Sequence, residues 1–232
     1  MAGTLINAAA VVAGGLLGLL LRGGIGRRLR DTIMQGLALC VALIGLDGAL
    51  GTQNTMAVIV SMVLGALLGE AVDVEKRLEG LGARAQRLLA KGGDSGFAEG
   101  FVTASLMFCV GAMAIVGALD SGLRGDHSTL IAKSALDGVS AVIFASAMGP
   151  GVLLSAAAVL VYQGAIALLA QYVAPFLTDA VVTEMSAVGG LLIVGIAINM
   201  FGLFKVRVGN LLPAVFMPIA VVPLMQLIEG LL

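Results

Sequence analysis

Apolar residues fall in eight long blocks, separated by short clusters of glycine, proline and charge, at residues 2–21, 32–50, 55–72, 99–119, 130–149, 151–173, 185–204 and 209–230. Each block is long enough to cross about 30 Å of hydrocarbon as a helix, because a helix rises about 1.5 Å per residue. One stretch, residues 73–91, breaks the pattern. There Val74, Leu78, Leu81, Ala85 and Leu88 recur in steps of 4, 3, 4 and 3, with Arg and Lys around the rest. That spacing predicts an amphipathic helix lying on a membrane surface.

Composition turns this pattern into a fold class. Of 232 residues, 59% are hydrophobic and 12% charged, whereas a soluble domain carries about a quarter charged residues. So little polar surface cannot cover a water-soluble chain of this length, and the bilayer is the expected solvent and principal partner. The fold class is all-α integral membrane protein, with about eight transmembrane helices. The 33 glycines fit, since helices in lipid associate by close backbone approach at small residues. Gly14-x₃-Gly18 and Ser61-x₃-Gly65-x₃-Gly69 read as such packing seams. Net charge is −1, with no basic run interleaved with aromatics, so nucleic acid is excluded as a partner. Cys40 and Cys109 both lie in apolar runs and supply no disulfide framework. The first block has no basic residues before it and Arg22, Arg27, Arg28 and Arg30 after it, the reverse of a signal peptide, and reads as a retained span.

Charge also orients the spans, because short cytoplasmic loops collect Lys and Arg. Four basic residues follow span one, five follow span three (Lys76, Arg77, Arg84, Arg87 and Lys91) and two follow span seven (Lys205 and Arg207). These loops all fall on one side of a single eight-span threading, and only Arg124 and Lys133 remain on the other. Both termini are therefore expected outside.

A weak internal repeat runs through the first six spans. Residues 30–36 align with 132–138 at one offset, bringing Gln35 onto Asp137 and Gly36 onto Gly138. Asn7 and Gly15 similarly match Thr103 and Gly111, and Gly65 matches Gly164. Three spans per unit would give the two copies opposite orientation, the inverted repeat of many secondary transporters. The expected organisation is repeat unit one at 1–72, the amphipathic helix and linker at 73–96, repeat unit two at 97–173, and a C-terminal helix pair at 174–232. Apolar, glycine-rich helices also resemble each other by chance.

Polar groups at membrane depth are costly and mark candidate function. Asp137 falls well inside span five, with Lys133 one turn earlier on the same face. The structural alternative is a neutralised pair whose lysine snorkels outward. Asn7, Gln35, Gln163 and Asn199 are carboxamides that hydrocarbon cannot satisfy, so each must face protein or water, and bridging helices is their ordinary task. Thr103 is a weaker pointer, because a hydroxyl can bond back to its own helix. Interruptions are expected in spans two and five, at Gly36, Gly45, Gly48 and Gly51 and at Asp137-Gly138, where broken ends would offer N–H or C=O groups to an ion. Gly149-Pro150-Gly151 reads equally as a tight turn. Pro213, Pro218 and Pro223 predict a kinked last span.

His127 stands without metal-ligand spacing, no nucleophile–base–orienter set occurs, and there is no P-loop. An enzyme, a resident metal or cofactor, and ATP as energy source are therefore not expected.

The runs Thr103-Ala-Ser-Leu-Met-Phe-Cys109-Val-Gly111-Ala-Met113-Ala-Ile-Val-Gly117, Lys133-Ser-Ala-Leu-Asp137-Gly138, Tyr162-Gln163-Gly164 and Asn210-Leu-Leu-Pro213-Ala resemble the YqgA-type family of bacterial membrane proteins over essentially the whole chain. The resemblance implies a bacterial inner-membrane location. It brings no established biochemical role, only the suggestion of transport. The resulting expectation is a secondary transporter or ion-conducting protein for a small solute or ion. Its path runs between the repeat halves and is lined by Asp137, Lys133, Gln163, Gln35, Asn7, Thr103 and Asn199. The alternative is a non-transporting scaffold or sensor whose polar residues only knit helices together. Self-association as a homo-oligomer is compatible with either.

Overall fold

The computed structural model describes residues 1–22, 27–77, 80, 84 and 97–229, and among them every regular element is helical. Six of the expected spans form helices long and apolar enough to cross a membrane: α1 (Ala2–Arg22), α2 (Arg27–Leu50), α3 (Thr55–Val72), α6 (Ser128–Met148), α7 (Gly151–Leu168) and α9 (Asp179–Phe201). The other two are bent. Span four is α4 (Phe97–Cys109) and α5 (Ala112–Leu123), meeting at 60°. Span eight is α10 (Val208–Leu211), a 3₁₀ segment (Leu212–Phe216) and α11 (Pro218–Glu229), with a 49° bend. A short α8 (Ala170–Val173) follows α7. The count is thus six spans, or eight if each bent pair is one. Many large apolar side chains, Leu16, Leu17, Leu20, Leu43, Leu67 and Val161 among them, point outward, as lipid-facing helices require.

The bends have local causes. Gly111 sits at φ +126, a conformation that glycine adopts and L side chains rarely do, and it ends α4. In span eight, Pro213 opens the 3₁₀ segment and Pro218 and Pro223 lie in α11, so N–H donors are missing where a straight helix would need them. The kink in the last span agrees with the sequence, and the break at Gly111 does not. The interruptions expected in spans two and five are absent. Helix α2 runs unbroken through Gly36, Gly45 and Gly48, and α6 through Asp137 and Gly138. A mid-helix glycine costs only about 1 kcal/mol, and neighbouring helix backbones pack against several of these positions. Gly149, at φ +95, closes α6 in a tight turn into α7. In the loop before α6, Asp126 accepts from the Ser128 N–H at 2.9 Å, which holds its carboxyl below the usual carboxylate range. Val74–Arg77 form a helical turn beyond Asp73. Apart from Gly80 and Arg84, the rest of the expected amphipathic helix lies outside the described residues.

The chain forms two compact units. The first comprises residues 1–37, 78–109 and 113–172, the second 38–77, 110–112 and 173–232. In the first, α1 and α6 run parallel, with Gly3 against Leu130, Gly14 against Gly138 and Gly18 against Val142. A Cβ on Gly14 or Gly18 would overlap the carbonyl oxygen of Gly138 or Val142, so this seam is in backbone contact. Helix α7 is antiparallel to α1, with Gly15 facing Leu153 and Gly164 facing Met1. The α4–α5 pair runs along α7 from Phe97 beside Gly151 to Gly122 beside Ala167. With α2 and α3 each long and apolar enough to cross once, the parallel arrangement of α1 and α6 is what a single broken span at α4–α5 would give. In the second unit, Gly45 and Gly48 pack on Gly190 of α9, and Gly65 and Gly69 of α3 meet the backbone of Ala214 and Asn210.

Candidate functional site

The first unit encloses a polar centre built from three helices. Close approach of α1 to α6 turns Asn7 inward, and Lys133 and Asp137, one turn apart on α6, face the same interior. Lys133 Nζ donates to both Asp137 carboxylate oxygens at 2.7 Å. Asn7 Nδ2 donates to Asp137 Oδ2 at 3.0 Å and to Gln163 Oε1 of α7 at 3.3 Å. Asn7 and Gln163 are fully buried, and Lys133 and Asp137 are 6% and 5% exposed. Asp137 lies nine residues beyond the start of the 21-residue α6, or about 14 Å along it. The pair therefore sits toward mid-helix, and Lys133 reaches inward, not outward to the membrane edge as the snorkelling alternative requires. Removing either partner would strand a buried charge, at a cost of about 3–5 kcal/mol.

Asn7, Lys133, Asp137 and Gln163 thus come together. The other sequence candidates do not join them. Thr103 is buried on α4 but takes no part in these hydrogen bonds. Gln35 is exposed on α2 and takes no part in these hydrogen bonds. Asn199 lies in the last turn of α9: its Oδ1 accepts the Val206 N–H at 2.7 Å and its Nδ2 donates to the Val206 carbonyl at 2.9 Å, tying off the following turn.

Two residues escaped the sequence reading. Thr4, fully buried on α1, leaves its hydroxyl without a partner, as do Asn7 Oδ1 and Gln163 Nε2. Its position three residues before Asn7 was the available signal. Glu184 lies in the second unit, 2% exposed, one residue before the expected start of span seven. Its carboxylate accepts from Thr52 Oγ1 at 2.5 Å and from the Gln53 and Asn54 backbone N–H groups at 2.9 Å. Asn54 in turn caps α3 by accepting from the Ala57 N–H at 3.0 Å. Glu184 therefore fastens the α2–α3 turn to α9, with its oxygens already claimed.

At the other end of α3, the Asn210 carboxamide accepts from the Glu75 N–H at 2.8 Å and donates to Glu70 at 2.7 Å. Arg207 pairs with Glu70 at 2.8 Å, and Lys205 with Glu75 at 3.2 Å. Asn210, part of a motif singled out in the sequence, is here a bracket between segments. Among the described residues no cluster of His, Cys, Asp and Glu could hold a metal ion.

A family model described as "Protein of unknown function (DUF554)" matches residues 2–223. The chain is 30% identical over 226 residues to the uncharacterized membrane protein YdfK of Bacillus subtilis, covering 96% of each chain. It is 34% identical over 219 residues to the uncharacterized protein YqgA of Escherichia coli, covering 93% of each. No solved structure matches it significantly.

Proposed function

The chain belongs to the DUF554 family, and on that premise we propose that it is a secondary transporter or ion-conducting protein of the bacterial inner membrane that moves a small solute or ion through the polar centre of its first unit. The observation that carries this reading is the buried Lys133–Asp137 pair, wired through Asn7 to Gln163 on three different helices. Ionisable groups at this depth are disfavoured unless they serve a pathway or are tightly paired. A pair needed only for neutrality would be complete at Lys133 and Asp137. Here a carboxamide relay extends it across α1 and α7. Asn7 comes from the first of the expected repeat halves and Asp137 and Gln163 from the second, which is where an inverted-repeat transporter would carry its path. Asp137 is the group whose charge can change during transport, Lys133 its counter-ion, and Asn7 and Gln163 the positioning amides.

The pair's completeness favours a second reading, a scaffold or sensor in which it only locks α6. Flux into liposomes separates the two. Wild type is expected to show flux under a pH or cation gradient. Asp137→Asn, and the charge-free Lys133→Gln/Asp137→Asn protein that keeps the shape without stranding an ammonium, should lose it at matched incorporation. Equal flux in wild type and the double variant would take the pair out of the mechanism, and no flux in any protein at any gradient would leave the scaffold.

A further inference from the structure

Depth and exposure disagree at one residue of α2. Wherever else a charge or a carboxamide lies more than one turn inside a long span among the described residues, it is buried: Asn7 in α1, Lys133 and Asp137 in α6, Gln163 in α7 and Glu184 in α9. Gln35 is exposed. The apolar part of α2 runs from Asp31 to Leu50, so Gln35 lies about 6 Å inside it. Sliding the helix does not bring it out. Asp31 and Asp47, both exposed, are about 24 Å apart along the helix, already less than the roughly 30 Å of hydrocarbon. Moving the nearer membrane edge up to Gln35 would draw the Asp47 carboxylate inward at the other end, and a charge costs more there than an amide. The exposed side of α1, by contrast, carries no polar side chain from Ala2 to Leu21.

Hydrocarbon offers no hydrogen-bond partner to an amide. Gln35 shares its face with Leu39 and Leu43, both exposed, at steps of four residues. Next to it, no neighbouring element among the described residues comes within 4 Å of where a Cβ on Gly36 would stand. The face is open to a partner, and its chemistry selects one. A carboxamide carries an acceptor oxygen and an NH₂ donor, so it is complementary to itself. Two copies of one chain, inserted alike, are related by a two-fold axis along the membrane normal. That axis sets α2 parallel to its equivalent and brings the two amides face to face at one depth, oxygen to NH₂ in both directions. A different membrane protein would have to supply an amide at this depth from its own sequence, whereas a second copy supplies it by symmetry.

We infer that the protein is a homodimer joined along α2, with Leu39 and Leu43 packed across the two-fold axis and Gln35 hydrogen-bonded to the partner's Gln35. The inference does not rest on the transport reading, because α2 gives no side chain to the hydrogen bonds of the Lys133–Asp137 centre. Hydrogen bonds of this kind between membrane helices strengthen association roughly five- to thirty-fold, and that is the share of the dimer that Gln35 supplies.

The test uses the full-length protein with Cys40 and Cys109 replaced by Ser and one cysteine introduced, reconstituted in vesicles over a range of protein-to-lipid ratios and oxidised with copper phenanthroline. Leu39→Cys and Leu43→Cys should each cross-link into a species of twice the mass at high dilution. Leu67→Cys, on the exposed side of α3, should cross-link only where the protein is crowded. Adding Gln35→Leu to Leu39→Cys should shift half-maximal cross-linking to a protein density about five- to thirty-fold higher, and Gln35→Asn, which keeps the amide, should stay near wild type. Thermal unfolding in detergent would confirm that the variants fold. A monomer at every density would overturn the inference. So would a dimer indifferent to Gln35→Leu, cross-linking through Leu67→Cys as readily as through Leu39→Cys, or, in native membranes, cross-linking of Leu39→Cys to a different protein in place of a second copy.

Discussion

Glu184 shows how a buried carboxylate can be fully occupied with structure. It accepts three hydrogen bonds from Thr52, Gln53 and Asn54, whereas the Lys133–Asp137 centre leaves polar atoms over. Glu184→Gln would place an NH₂ group against one of these donors. A loss of about 1–3 kcal/mol is expected, read as a lowered unfolding midpoint in detergent, with any flux tested for the proposed transport unchanged in whatever protein remains folded. An unchanged midpoint would mean that the α2–α3 turn does not depend on this anchor. Asn7, Lys133, Asp137 and Gln163 were legible in the sequence because a carboxamide or charge inside an apolar helix must find protein or water. The same argument could not say which, and so it also selected Gln35, which is exposed, and Asn199, which serves its own turn. It passed over Thr4, because a helical threonine hydroxyl usually has a backbone carbonyl within reach, and Glu184, because one residue decided whether it lay inside a span.

Helices were legible at the scale of elements, since length and apolarity alone demand them, and α3 occupies the expected 55–72. Their interruptions were not. Glycine in a membrane helix serves either to break it or to let another backbone approach, and sequence does not separate the two uses. Gly36, Gly45 and Gly48 leave α2 intact, whereas Gly111 ends α4. Gly14 and Gly18 belong to the second use. Gly18→Ala would force α1 away from the Val142 carbonyl and should destabilise the protein by about 1–3 kcal/mol. Because the displaced helix carries Asn7, any flux through the proposed path should fall as well. A Gly36→Ala control, with open space around the new Cβ, should change neither. Equal unfolding midpoints for the two variants would argue against a close α1–α6 seam.

Parity governs the whole molecule. With α1 and α6 parallel and α7 antiparallel to α1, an odd or even number of crossings between them has a visible consequence, and eleven basic residues on one side of the threading against two on the other predict its direction. Both termini are expected outside. In a protein with Cys40 and Cys109 replaced by Ser, a cysteine introduced at Ser95 should resist an impermeant thiol reagent in intact cells and react after permeabilisation. Labelling from outside would reverse the threading. The turn at Gly149 also constrains how the protein is made. Helices α6 and α7 are joined so tightly that no loop of useful length separates them, and they are expected to enter the bilayer as one hairpin. The less apolar α6 would then enter lipid alongside the more apolar α7. Lys133 and Asp137 are neighbours on one helical turn and can neutralise each other before either leaves the aqueous channel, so the costliest charges of the chain reach the bilayer already paired.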